Sequence, residues 1–232
     1  MADSPSSSSD DSLDIILPVG FVLLFFLAIF VPLVCILCTH LKRKTLLKLQ
    51  IALSAEAGSV HRDWTKIFNE AKKLGNSRTS YTPDWHSIIT ARLFLLQHSD
   101  CFRYGYSCVT RYWTDCEILE DRFRQLCEVE RQKRETIDIE SLVHVNNNVP
   151  HPNANVSTMD YVVVTILVTV KGAHNLPKIR NTDDLNKALN YLRDICSNSN
   201  KVKGVEVFLT PKYETCSLSH EELLRNYTHL VN

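Results

Sequence analysis

From Ile15 to Thr39 the chain carries no charged residue. No other feature limits its folding options as much. As a helix those 25 residues would extend roughly 37 Å, beyond the ~30 Å hydrocarbon core of a bilayer. A core helix of a soluble domain is seldom apolar on every side for so long. Pro18 and Pro32 are tolerable in lipid, and Pro32 would kink the helix. A cleavable signal needs a basic start and a shorter apolar centre, whereas here Asp3, Asp10, Asp11 and Asp14 come first. The run therefore predicts an uncleaved single transmembrane helix over residues 15–39, preceded by a disordered, acidic, Ser-rich head over 1–14.

Every Lys and Arg follows the run. Lys42, Arg43, Lys44 and Lys48 flank its C-terminal side, so the positive-inside rule predicts an N-terminus outside or lumenal and a cytosolic C-terminal domain. Residues 40–45 form a basic juxtamembrane segment that would attract anionic lipid, which makes the lipid bilayer an expected partner. The head is Ser-rich like a plastid transit peptide, but its four Asp and lack of Arg speak against plastid import. Cys35 and Cys38 have the spacing of a redox or metal pair. Inside lipid they lack further ligands, so they read as apolar side chains, with S-acylation at the cytosolic edge as the second reading.

Residues 46–232 are long enough for one domain. Leu47, Leu49, Ile51 and Leu53 alternate with Lys48, Gln50 and Ala52, a strand period. Val60, Trp64, Ile67 and Phe68 recur at helical spacing, and Gly75 can end that helix. Thr82-Pro83 reads as a cap and first-turn proline, opening a helix with Ile88, Ile89, Leu93 and Leu96 on its apolar side. The stretch "CFRYGYSCVTRYW" reads as a link. A charged helix follows from about Thr114 to Glu135, its narrow stripe Leu119, Phe123, Leu126 and Val129, with Glu120→Arg124 and Glu130→Arg134 as i,i+4 pairs.

Residues near 146–158 hold turn formers and read as a loop. "YVVVTILVTV" is β-branched and apolar, hence a strand covered on both faces. Leu185, Ala188, Leu189, Leu192 and Cys196 form one helix stripe. Val205, Val207 and Leu209 share a strand face that Pro211 ends, giving a β-α-β unit, right-handed if its strands are parallel. Ser219-His220-Glu221-Glu222 is a capping box. The fold class is α+β: a transmembrane helix, a helical segment, then a small sheet.

No phosphate-binding glycine loop, H-E-x-x-H or paired C-x-x-C is present in the sequence, and no cofactor is expected. His144, His151 and His174, with Cys196 and Cys216, are the candidates for a Cys/His nucleophile or zinc site assembled in space. Their spacing gives that no support, so the chain is expected not to be an enzyme. After the run, cations exceed anions by four, too few to argue for nucleic acid. Of the eight cysteines, the six in the domain read as reduced thiols. Asn155 and Asn226 head N-glycosylation sequons, used only if the domain were lumenal or extracellular, where disulfides would also be expected.

The segments "KLQIALSAEA", "LFLLQHSDCFRYGY", "EVERQKRETIDIESLVHVNN", "DYVVVTILVTVKG", "DDLNKALNYL", "VEVFLTP" and "LSHEELLRNYTHL" occur in that order across about residues 46–230. In this arrangement the chain resembles an uncharacterised-function membrane protein family of cyanobacteria, plastids and other eukaryotes, which includes the plant fluctuating-light acclimation protein. The resemblance implies a membrane-tethered α+β domain and supplies no catalytic residues. The expected function is a membrane-anchored binding or regulatory domain with a protein partner of unknown identity; the alternatives are a membrane-bound Cys/His enzyme or a lumenal disulfide-containing domain.

Overall fold

The structure, a computed structural model, describes residues 25–34, 43–54, 57–75, 85–112, 116–146, 160–197, 201–213 and 216–231. The chain divides into two units, residues 1–42 and 43–232. In the first, residues 25–34 are helical, and the apolar side chains among them are exposed. Among the described residues no helix is long and apolar enough to cross a membrane. The rest of the uncharged run lies outside the described residues, as do Cys35, Cys38, Lys42 and Asn155.

The second unit is built on a four-stranded, wholly antiparallel sheet. Its strands are β1 (Lys44–Ser54), β2 (Phe102–Tyr112), β3 (Tyr161–Lys171) and β4 (Val202–Thr210), in the order β2-β1-β3-β4. The helices are α1 (Ala57–Gly75), α2 (Trp85–Gln97), α3 (Cys116–Asn146), α4 (Thr182–Cys196), α5 (His220–Asn226) and α6 (Thr228–Val231).

Strand alternation divides the sheet into two faces. Leu47, Leu49, Ile51 and Leu53 of β1 join Val162, Val164, Ile166 and Val168 of β3 in the main core. The helices α1, α2 and α4 cover this face through Val60, Ile88, Phe94, Leu185, Leu189 and Leu192. Trp64 stacks on Phe68 at 3.9 Å and meets Phe94 edge-on at 4.9 Å. The opposite face carries α3 and the C-terminal helices, with Ile137, Tyr161, Val163, Leu223 and Tyr227 in one cluster and Cys127, Leu167 and Phe208 in another.

Several expectations hold. β1, α4 and β4 form where periodicity places them, and β4 ends at Thr210, before Pro211. The capping box is complete: Glu222 N–H donates to Ser219 Oγ at 3.2 Å, and Ser219 N–H to Glu222 Oε2 at 2.8 Å. Ser219→Ala should cost about 1 kcal/mol, read as a lower midpoint in denaturant unfolding. An unchanged midpoint would mean that tertiary packing alone holds α5.

Other expectations are corrected. The supposed link is β2, whose Phe102, Val109, Tyr104 and Tyr106 pack on the two sheet faces. Its Tyr, Cys and Thr alternate with small and charged residues, a pattern weaker than an aliphatic strand's. The sheet is therefore not confined to the C-terminal half; its first strand precedes every helix of this unit. β3 and β4 are antiparallel neighbours, so the strand-helix-strand unit contains no parallel crossover. The charged helix continues to Asn146, past Glu135. Val129 on α3 and Leu93 on α2 are each 52 % exposed. Phe94 and Leu95 occupy the core in place of Leu93. Thr82-Pro83 and the loop after Asn146, up to residue 159, lie outside the described residues.

The connection from β3 to α4 crosses the sheet. Ser107 Oγ donates to the Pro177 carbonyl at 2.7 Å, and Ile179 packs against Gly105. A Cβ on Gly105 would lie 2.3 Å from Ile179 Cγ2, so the absence of a side chain there is what admits the crossing segment.

Candidate functional site

Three strands and two helices bring polar side chains together beneath α3. Lys48 and Gln50 lie on β1, Thr165 is opposite Gln50 on β3, and Tyr106 is opposite it on β2. α3 contributes Glu130 and Lys133, and α6 contributes His229. Glu130 is only 2 % exposed and accepts a hydrogen bond from Lys48 Nζ at 2.7 Å. Lys133 Nζ is 3.9 Å from the same carboxylate and lies over the Tyr227 ring at 4.5 Å. Gln50 Nε2 donates to Thr165 Oγ1 at 3.0 Å and reaches Glu130 at 3.4 Å, while its Oε1 accepts from His229 Nε2. The His229 ring meets Tyr106 edge-on at 4.3 Å.

Burial sets the proton affinities here. It lowers the Lys133 pKa, with Glu130 opposing and Lys48 assisting. It also lowers that of His229, and the charges of Lys48 and Lys133 push the same way against Glu130. Burial raises the Tyr227 phenol.

The effect of His229 on stability follows. The unfolded chain protonates this residue near ~6.5 and the folded chain only at lower pH. Between those values the unfolded state binds more protons, so stability falls as pH drops through about 6.5. Denaturant titrations from about pH 8 to 5 should show this loss in the wild type and a smaller one in His229→Gln. Equal slopes in the two proteins would remove His229 from the account.

A second feature is a groove of about 440 Å³ between α3 and the edge strand β4. Its apolar lining comes from Phe123 and Cys127, and its charged lining from Arg124, Glu128, Arg131 and Glu206. Burial pushes the Cys127 thiol up to about 12, with Glu206 adding to the effect. Gly204 lets Phe123 approach β4, since a Cβ there would be 2.8 Å from the ring.

The residues singled out from sequence mostly lie elsewhere. Lys48, read from sequence as a membrane flank, has its side chain 16 % exposed and bonded to Glu130. Lys44 opens β1, and the Arg43 carbonyl accepts from Gly172 N–H at 2.7 Å. Glu130 turns inward to the lysines, and Arg124 pairs with Asp121 at 3.4 Å. Asn226 ends α5 with its amide nitrogen buried and unbonded, a poor acceptor for a glycan in the folded chain. His174 is held by the Tyr191 hydroxyl at 3.1 Å and the Lys171 carbonyl at 3.0 Å. Cys196 lies in the main core, its thiol pushed up to about 12 by burial; a protonated thiol is a weak nucleophile. Among the described residues, Cys101, Cys108, Cys127, Cys196 and Cys216 are in no disulfide, and no group of three or more His, Cys, Asp or Glu is gathered to hold a metal. His151 and the His144 side chain are outside the description.

Comparison with known proteins decides the family. Residues 43–232 match the family described as "Protein of unknown function (DUF1517)". The chain belongs to this family. It is 35 % identical over 195 residues to FLUCTUATING-LIGHT-ACCLIMATION protein 1, chloroplastic, of Arabidopsis thaliana, covering 82 % of this chain and 46 % of that protein. It is 26 % identical over 197 residues to Protein FLAP1 homolog A of Synechocystis sp., covering 79 % of this chain and 55 % of that protein. The chain thus spans about half the length of these curated relatives. No solved structure matches.

One finding corrects the expected location. The Arabidopsis family member is chloroplastic, so the argument against a plastid from four aspartates in a short head does not stand. The expected single-pass arrangement with a cytosolic domain gains no support: among the described residues no helix is long and apolar enough to cross a membrane.

Proposed function

We propose that the domain is a non-enzymatic binding or regulatory module acting on a protein partner. The supporting observation is the way Glu130 is used. This 2 %-exposed carboxylate is committed to Lys48, and Gln50, Thr165 and His229 bond to one another around it. A cluster so arranged fixes α3 and α6 to the sheet; a general base or nucleophile needs a group turned toward substrate. The groove beside β4 offers the complementary feature, an apolar lining with both signs of charge, next to a strand edge able to accept an extended segment. The Arabidopsis relative's name carries the further proposal that the partner belongs to a light-acclimation response in a plastid.

Proximity labelling with the full chain tests this reading. A small set of proteins labelled by the wild type should be lost with Glu128→Lys/Arg131→Glu, which keeps the fold. Labelling indifferent to that change would sink the groove as a docking site. A substrate turnover abolished by Lys48→Met in a folded protein would overturn the non-enzymatic reading.

A further inference from the structure

One end of the sheet carries a row of like charges. In the strand register Lys44 stands opposite Tyr112 of β2 on one side and Lys171 of β3 on the other. The next step of the row is a backbone bond, Lys171 N–H to the Lys201 carbonyl at 2.8 Å. Tyr112, Lys44 and Lys171, on β2, β1 and β3, and Lys201, one residue ahead of β4, therefore run across this end of the sheet. At about 4.8 Å between neighbours, the row is roughly 14 Å wide. Alternation places Tyr112, Lys44 and Lys171 on the face that carries Lys48 and Thr165.

Like charges directly opposite on adjacent strands are destabilising. The usual remedy is an interleaved carboxylate, and among the described residues none is used. Lys44, Lys171 and Lys201 form no ion pair with any described residue. Asp121, near the start of α3, holds Arg124 instead. Lys171 and Lys201 are exposed, and Lys44 is half-buried. Beside the row, Arg111 is held by the Asn175 side chain, and Thr45, its neighbour in the register, donates to the Gly172 carbonyl at 2.7 Å. Gly172 turns the chain there with φ of +99°. The cations are thus mounted on hydrogen-bonded strand ends and a pinned turn, so little order remains to be imposed when they are used. A local cost with no internal compensation is expected where a site serves an external ligand.

We infer that this sheet end binds phosphate-bearing anions, with the three ammonium groups as point-charge donors and Tyr112 as a flanking hydroxyl. Phosphate suits lysines held at fixed spacing, since each takes one oxygen without the planar fork of arginine. The same chemistry is offered by a soluble oligophosphate and by a lipid headgroup.

The test uses the full-length chain and two probes: sodium tripolyphosphate by titration calorimetry, and phosphatidylcholine vesicles with or without phosphatidylglycerol by co-sedimentation. Lys44→Gln/Lys171→Gln/Lys201→Gln is compared with Lys66→Gln/Lys187→Gln/Lys212→Gln, which removes equal charge elsewhere. Thermal unfolding checks that both triple variants fold. The expected result is saturable, salt-sensitive binding that the first triple weakens on the order of a hundredfold and the second leaves within about threefold. Binding of tripolyphosphate alone assigns a soluble ligand; binding of phosphatidylglycerol vesicles alone assigns a headgroup. If neither probe binds, or both triples lose affinity equally, the inference is wrong.

Discussion

Replacing Glu130 with Leu should destabilise the domain by about 3 kcal/mol, lowering Tm by roughly 10 °C for a chain of this size. The cost arises less from losing the ion pair than from what remains. Lys48 and Lys133 would keep their charges beneath α3 with no anion between them. The value sits at the low end for broken buried pairs because the two side chains retain 16 % and 22 % exposure, enough for partial rehydration. A second variant separates the two effects. Lys48→Met/Glu130→Leu/Lys133→Met removes every charge at once, and it should recover most of the loss or exceed the wild type. Differential scanning calorimetry of both proteins decides this. If the triple variant were as unstable as Glu130→Leu, the cluster would contribute by shape and hydrogen bonding, not by charge balance.

The second large effect belongs to the other face. Phe94→Ala should cost about 3–5 kcal/mol. Phe94 has no exposed surface, receives the Trp64 edge at 4.9 Å and lies 4.5 Å from the His98 ring. His98 in turn bonds Asp63 of α1 at 3.2 Å. Removing the ring opens a cavity where α1 and α2 meet, beneath the Trp64–Phe68 stack. Urea unfolding followed by tryptophan fluorescence should show a lower midpoint and a changed native spectrum. A loss under about 1 kcal/mol would mean that α1 collapses into the space. Leu93→Ala, next door and half-exposed, should cost much less.

These contrasts show what could be read from the chain without its structure. Aliphatic alternation in β1, the β-branched run of β3, the stripe of α4 and the capping box were all legible, because each is a local pattern with one physical meaning. β2 was not. Tyr, Ser, Cys and Thr occupy its positions, and its burial comes from a crossing segment about 70 residues away. Antiparallel pairing of β3 and β4 was also invisible, since a helix between two strands is compatible with either direction. The polar cluster left only faint marks. Lys48, Gln50 and Thr165 interrupt otherwise apolar strands, which signals a polar neighbour without naming it. Glu130 was misread as an outward i,i+4 partner because helix spacing alone does not say which stripe meets the sheet. The head and the uncharged run show the limit of composition: they support an anchor by hydropathy and argue against a plastid by charge, yet the chloroplastic relative overturns the second inference.

The strand order has a consequence for the chain as it is being made. β1 is the first strand of its unit to be synthesised, yet it sits in the middle of the sheet, with β2 on one side and β3 on the other. Its pairing with β3 joins Leu53 to Val162 and Lys44 to Lys171, contacts more than a hundred residues apart. Until β3 is synthesised, an apolar strand with an open hydrogen-bonding edge must wait, which slows closure of the sheet and invites pairing with other chains. A ribosome stalled or a message cut between β2 and β3 would therefore release a sticky intermediate and not a smaller folded domain. The 31-residue, heavily charged α3 is the segment made during that interval, and its solubility is what accompanies the unfinished sheet.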